Sequence, residues 1–311
     1  MKMKMKKSFV ITIDTESDNQ WNVNNNQSTE NALYIPRFQE LCEKYDFKPV
    51  YLVDYSMANN NYLVEYLSSC YKRGMCEIGM HLHAWDTPPF VEMDKQKTGR
   101  PYLIEYSLDI MEEKIATLDK LLKSKFGETI ISHRAGRWAM NDMYFALLKK
   151  YGYKIDCSYT PGINWGKVIG ASQGGADYSN ETGVPFFDSK SGILEVPATV
   201  KKIHYMKQIS PKELVKLGFG RNVWLRPALF SNKEMLTLVN KNKSNIDEFM
   251  MHSSELMPGG SPYFKAKEDI ENLYSRLDQF FLEIHKSHKG STLAEVYKSV
   301  SDKRKDNLND F

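Results

Sequence analysis

An aspartate and a glutamate two residues apart (Asp14, Glu16), two histidines at the same spacing (His81, His83), single Arg134 and Asp156, and a histidine with a glutamate three further on (His252, Glu255) each fall at the end of a short apolar run. Residues two apart on an extended strand face the same side, so each of the first two pairs projects together. Two such pairs can meet around one ion. Two imidazoles and a carboxylate are the usual protein ligands of a catalytic Zn2+ that keeps a position open for water, and that water becomes a nucleophile near neutral pH. Taken singly, an aspartate at a strand end is more often a turn or cap residue, and a lone histidine more often structural. The His-x-His spacing, matched by Asp-x-Glu and followed by a later histidine, moves the expectation to one metal-dependent catalytic mouth.

Such a mouth needs strands that end together. Phe9-Val10-Ile11-Thr12-Ile13 is a β-branched run that stops at Asp14 and predicts a buried strand. A polar, Asn-rich loop from Asp18 to Gln27 follows. Leu33 to Tyr45 then carries apolar residues at helical spacing, with a second strand at Pro49 to Val53 behind it. The alternation continues with a helix at Tyr62 to Lys72, a strand at Ile78 to His81, a helix at Ile104 to Lys123 and a strand at Thr129 to Ser132 that runs into Arg134. A helix at Met143 to Tyr151 leads to Lys154-Ile155 and Asp156. Strands at Gly192 to Val196 and Glu248 to Met251 precede an amphipathic helix at Ile270 to His285. Regular alternation of this kind predicts a parallel α/β sheet or barrel. Between Ser158 and Ser191 it stops, and Gly, Ser, Asn and aromatic residues accumulate; a loop of this length is expected as an insertion over the mouth. With no repeat or linker in the sequence, residues 1–311 are expected to form a single domain.

Charge and cysteine usage narrow the partners. Forty-two basic against 39 acidic residues give a formal net charge of +3, which provides no long-range field for nucleic acid or an anionic membrane. Cys42, Cys70, Cys76 and Cys157 show no Cys-x-x-Cys spacing and are expected as reduced thiols of a cytoplasmic protein. The apolar run Ser8 to Ile13 is too short for a signal peptide, and no apolar run approaches the length that spans a bilayer, so no membrane insertion is expected.

The motifs resemble those of the polysaccharide deacetylases of the NodB-homology superfamily, carbohydrate esterase family 4. Val10 to Glu16 looks like the first motif, which ends a strand with a catalytic base and a metal-binding acid. Glu77-Ile78-Gly79-Met80-His81 resembles the second, which delivers metal-binding histidines, and His133-Arg134-Ala135-Gly136-Arg137-Trp138 the third, whose arginine holds the base. Asp156-Cys157-Ser158 resembles the fourth, and Met251-His252-Ser253-Ser254-Glu255 the fifth, whose histidine is the general acid. The similarity runs in the family's order from Phe9 to about Tyr263.

This resemblance implies a distorted (β/α) barrel of the NodB-homology type with its site at the C-terminal strand ends. It implies Asp14 as base, His252 as general acid, Arg134 holding Asp14 by a bidentate contact, and a divalent metal, Zn2+ by ligand type, on Glu16, His81 and His83. Glu255 is expected to orient His252 or to bind substrate, with Trp85, Arg137, Trp138 and Tyr263 on the substrate side. Core packing is the competing role for the aromatic residues. Two departures leave the ligand set open: Asp-Thr-Glu replaces paired aspartates, which makes Asp18 a competitor of Glu16, and the second histidine follows two rather than four residues after the first, which brings in Asp86. The pattern is similar to a divergent branch associated with bacterial surface-polysaccharide biosynthesis. The implied activity is removal of an N-acyl group, acetyl above all, from an amino sugar or glycan. The alternatives are an O-acyl esterase with the same site and a glycan-binding or assembly protein with a degenerate one.

Overall fold

The apolar run near the start of the chain forms strand β1 (Lys7–Thr15) of a computed structural model that describes residues 6–21, 27–93, 100–127, 129–204 and 220–309. The next strands are β2 (Val50–Val53), β3 (Glu77–Leu82), β4 (Ser132–Ala135), β5 (Ile155–Asp156), β6 (Phe186–Phe187) and β7 (Leu194–Glu195). An antiparallel ribbon of β8 (Val200–His204) and β9 (Gly220–Trp224) follows, then β10 (Ile246–His252) and β11 (His288–Gly290). The main sheet has the order β10-β1-β2-β3-β4-β5-β7-β6, parallel throughout except for β6 on β7, and β11 pairs with β1 beyond the reach of β2. Between β7 and β10 the ladder is replaced by single bonds: the Met250 N–H donates to the Leu225 carbonyl (3.0 Å) and the Glu248 N–H to Thr199 Oγ1 (2.8 Å). The sheet therefore curls into a distorted (β/α) barrel, as expected.

Helices α1 (Ile35–Glu43), α2 (Tyr55–Ala58), α3 (Asn61–Lys72), α4 (Leu108–Phe126), α5 (Asp142–Lys150), α6 (Asn232–Lys241), α7 (Lys267–His285) and α8 (Leu293–Asn309) complete the fold. Side-chain caps fix several starts: Asn60 accepts from the Leu63 N–H and Asn141 from the Tyr144 N–H. Alternation along β1 divides the core. Phe9, Ile11 and Ile13 join Phe38, Phe280 and Phe281 in the larger apolar cluster. Val10 instead joins Val50, Leu52, Ile155, Leu194 and Val196, with Leu293 and Val296 of α8 packed against them. Two residues on from Val10 the same face turns polar with Thr12 and then Asp14, so an apolar plug supports a polar mouth.

Several boundaries differ from expectation. Pairing with β3 carries β4 to Ala135, so Arg134 lies within a strand rather than after one. Residues Leu103–Glu105 form a 3-10 turn, which delays α4 to Leu108. The β8–β9 ribbon, α2, α6 and α8 were not expected. Residues 22–26 of the expected Asn-rich loop lie outside the described residues. Between 158 and 191, regular pairing is limited to β6 and two isolated bridges, Asn164 with Asp177 and Ile169 with Gly174. Among the described residues, no helix is long and apolar enough to cross a membrane.

Candidate active site

Strand ends bring the separated motifs together. Asp14 is opposite His252 in the β1–β10 register, and His81 is opposite Arg134 in the β3–β4 register. Glu16 follows β1, and its backbone is clamped by Ser253, whose hydroxyl accepts from the Glu16 N–H at 3.1 Å and donates to the Glu16 carbonyl at 3.2 Å. Buried Asn31 donates a further bond to that carbonyl at 2.9 Å. His83 lies just beyond β3, its ring 4.4 Å from that of His81.

Glu16 Oε2 lies 3.5 Å from His81 Nε2 and 3.3 Å from His83 Nε2, so three buried donor atoms converge in a grouping able to hold a divalent ion. The other ring nitrogens are engaged. His81 Nδ1 is 3.1 Å from the Arg134 carbonyl and His83 Nδ1 is 3.3 Å from Asp86 Oδ2, contacts that direct both Nε2 atoms at the centre. Asp86 therefore acts on the far side of His83. Its loop is tied down by buried Lys114, which donates to the Ala84, Thr87 and Pro89 carbonyls at 2.6–2.8 Å. A second grouping, Asp54 with His83 and Asp86, fits an ion less well. Asp54 caps α2 through the Met57 N–H, and burial, with Asp86 beside it, pushes its carboxyl well up toward the neutral form. Asp18 is likewise committed elsewhere, to Ser28 and Asn31. The two-imidazole, one-carboxylate chemistry of Glu16, His81 and His83 suits a Zn2+-type ion. Burial opposes charge on His83, but Asp86 and Glu16 push it up to about 10, so an ion taken up here displaces a proton.

Arg134 is completely buried. The expected bidentate contact with Asp14 is not formed, because the guanidinium fork is divided between two acids. Its Nη1 donates to Asp14 Oδ1 and its Nη2 to Glu248 Oε1, each at 2.6 Å, while Nε donates to the Cys157 carbonyl. Burial raises both carboxyls. For Asp14 it is outweighed by Arg134, His81 and His252, which lower it; for Glu248 burial prevails. Asp14 is accordingly held toward its ionised form, and its Oδ2 remains turned toward the imidazoles, 3.8 Å from His252 Nε2 and 3.9 Å from His81 Nε2.

His252 ends β10 and is backed by Glu255 and Arg226. Its Nδ1 lies 3.1 Å from Glu255 Oε1 and 3.1 Å from Arg226 Nη2, and Arg226 donates to Glu255 at 3.0 Å. Glu255 is fully buried against His252 and does not line the cavity. Asp156 stays outside this centre and binds His133 Nδ1 at 2.6 Å, with Tyr144 on the other ring nitrogen.

These groups open into a cavity of about 530 Å3 lined also by Trp85, Arg137, Trp138 and Tyr263. Trp85 stacks on His83 at 4.3 Å, and Trp138 lies beside Arg134. Sequence reasoning missed Arg226, Glu248, Gln20, Trp21, Arg100 and Tyr102. Glu248 alone carried a signal, since it shares the face of His252 at period two on β10.

No protein-family model matches the sequence, and no curated protein matches it. Solved structures do match in fold. A Mycobacterium smegmatis protein provisionally assigned as a polysaccharide deacetylase overlays with a TM-score of 0.56 at 13% identity, over 98% of this chain and 94% of that one. The 4-alpha-glucanotransferase of Thermococcus litoralis overlays with a TM-score of 0.55 at 14% identity, over 95% of this chain and 40% of that one. The fold implied by the motif resemblance is thus the fold the chain adopts.

Proposed function

We propose that the protein is a divergent polysaccharide deacetylase, a metal-dependent hydrolase that removes an N-acyl group, acetyl above all, from an amino sugar in surface-glycan biosynthesis. The observation that carries this reading is the meeting of Glu16, His81 and His83 at one point, with Asp14 and His252 beside it, in a single cavity. A divalent ion on the first three residues supplies polarisation of the acyl carbonyl and acidification of water.

The protein's own groups provide the remaining steps. Asp14 Oδ2, ionised and held by Arg134 through its other oxygen, takes a proton as water adds to the acyl carbon. His252 Nε2 faces the same point and gives a proton to the sugar nitrogen as the C–N bond breaks, releasing carboxylate and free amine. Glu255 accepts from His252 Nδ1 and fixes the ring for that transfer. Trp85, Trp138 and Tyr263 offer aromatic faces to the sugar.

The test is release of acetate from N-acetyl and O-acetyl sugars by zinc-loaded protein, chelated protein and Asp14→Asn. Release from N-acetyl substrates that disappears with the chelator and falls about 10²–10⁴-fold in the variant is expected. Hydrolysis of O-acetyl sugars alone would replace this reading with an esterase. Binding without any hydrolysis would replace it with a glycan-binding protein.

A further inference from the structure

The cavity is electrically two-ended. Asp14 and Glu16 stand with the imidazoles at one side, and Arg100 and Arg137 form another wall with Tyr102. Neither arginine has a carboxylate partner among the described residues. Arg137 donates to the main-chain carbonyls of Arg100 and Ile169 and lies 4.1 Å over the Tyr102 ring. Arg100 donates to the Gln20 side-chain oxygen and lies 4.9 Å from the Trp85 ring. The acid beside them, Glu105, is fully engaged: it accepts from the N–H groups of Tyr102, Ala171, Ser172 and Gln173, and so pins the 171–173 loop near the cavity.

A guanidinium has five donors, so each arginine retains N–H groups for a ligand. Burial lowers the pKa of both; Asp86 and Glu16 oppose it at Arg100, where repulsion from Arg137 adds to it, and Tyr102 and Glu105 oppose it at Arg137. Both guanidinium groups are half-buried and their direct hydrogen-bond partners are neutral, which leaves room for a ligand to bring further counter-charge. The guanidinium fork suits the oxygens of a phosphoryl or carboxylate group.

We propose that the Arg100–Arg137 wall binds an oxyanion of the substrate, so that the sugar deacylated at Asp14 carries a phosphoryl or carboxylate group. This rests on the deacylase reading and specifies its substrate class.

Tryptophan fluorescence, reporting from Trp85 and Trp165 in the cavity wall, tests it by binding alone. The zinc-loaded full chain is titrated with glucosamine, glucosamine 1-phosphate and glucosaminuronic acid at fixed ionic strength. One acidic sugar is expected to bind at least about tenfold more tightly than glucosamine, and Arg100→Gln or Arg137→Gln to remove most of that preference. Whichever acid binds better names the source of the oxyanion. Arg137 has left-handed backbone (φ 55°), so Arg100→Gln carries the test if the Arg137 variant fails to fold. Equal binding of the three sugars, binding of none, or a preference that survives substitution would overturn the proposal. An arginine-dependent preference without acetate release from the N-acetyl forms of these sugars would leave the oxyanion site standing and overturn the deacylase reading.

Discussion

Arg134 holds Asp14 by one bond, 2.6 Å from Nη1 to Oδ1, and gives the other arm of its fork to Glu248. One buried cation thus serves two buried acids, and the shift is downward at Asp14 and upward at Glu248. Replacing Arg134 with Met leaves both carboxyls without a counter-ion, and loss of one partner from such a buried cluster costs about 3–5 kcal/mol. Urea unfolding of the chelated protein should show a loss of that size; a loss below about 1 kcal/mol would contradict the shared-fork arrangement.

Gly136 is where the third motif presses on the proposed metal centre. A Cβ there would lie 2.5 Å from His83 Cδ2 and 2.6 Å from the Leu82 carbonyl oxygen, so Ala must displace one of them. Gly136→Ala is expected to weaken zinc binding by about 10–100-fold, as loss of an orienting contact does. Competition with a chromophoric chelator measures this, and unchanged affinity would show that the His83 position is not needed.

Under the proposed function, Glu255 works through His252, which it contacts at Nδ1, rather than on substrate. Glu255→Gln keeps the volume but weakens the contact at Nδ1, so kcat should fall about 10–100-fold with KM little changed. A rise in KM at constant kcat would instead place Glu255 on the sugar.

Asp14 and Glu255 also give the stability a pH signature. Burial raises each carboxyl, but Arg134 for Asp14 and Arg226 for Glu255 lead the interactions that bring the net shift below the ordinary values of 3.8 and 4.5. A depressed folded pKa stabilises fully above the unfolded value, and that contribution is lost as pH falls through the folded one. In chelator, the melting-temperature advantage of wild type over Asp14→Asn and Glu255→Gln should hold steady above about pH 5 and shrink below about pH 4. An advantage that grows on acidification would give the shifts the opposite sign.

The carboxylate and imidazole pairs were legible because period-two alternation is local: Asp14 with Glu16 and His81 with His83 needed only their own strand ends. The same alternation of runs predicted a parallel α/β sheet or barrel, and the motif resemblance implied the barrel. Glu248 was equally accessible from the face of His252 and was overlooked. Arg226, Gln20 and Arg100 were not legible, because each reaches the cavity on a connecting segment placed by long-range contacts, such as the Asn19 N–H bond to the Gly260 carbonyl. The division of Arg134 between two acids was hidden for a related reason. It depends on β1, β4 and β10 meeting inside the barrel, with β4 extended to Ala135 by its pairing with β3.

Zinc-edge anomalous diffraction from zinc-soaked crystals bears most directly on the proposed centre. One dominant peak within about 2.0–2.2 Å of Glu16 Oε2, His81 Nε2 and His83 Nε2 is the predicted result. A peak between Asp54 and Asp86, or one that does not touch both histidines, would contradict it.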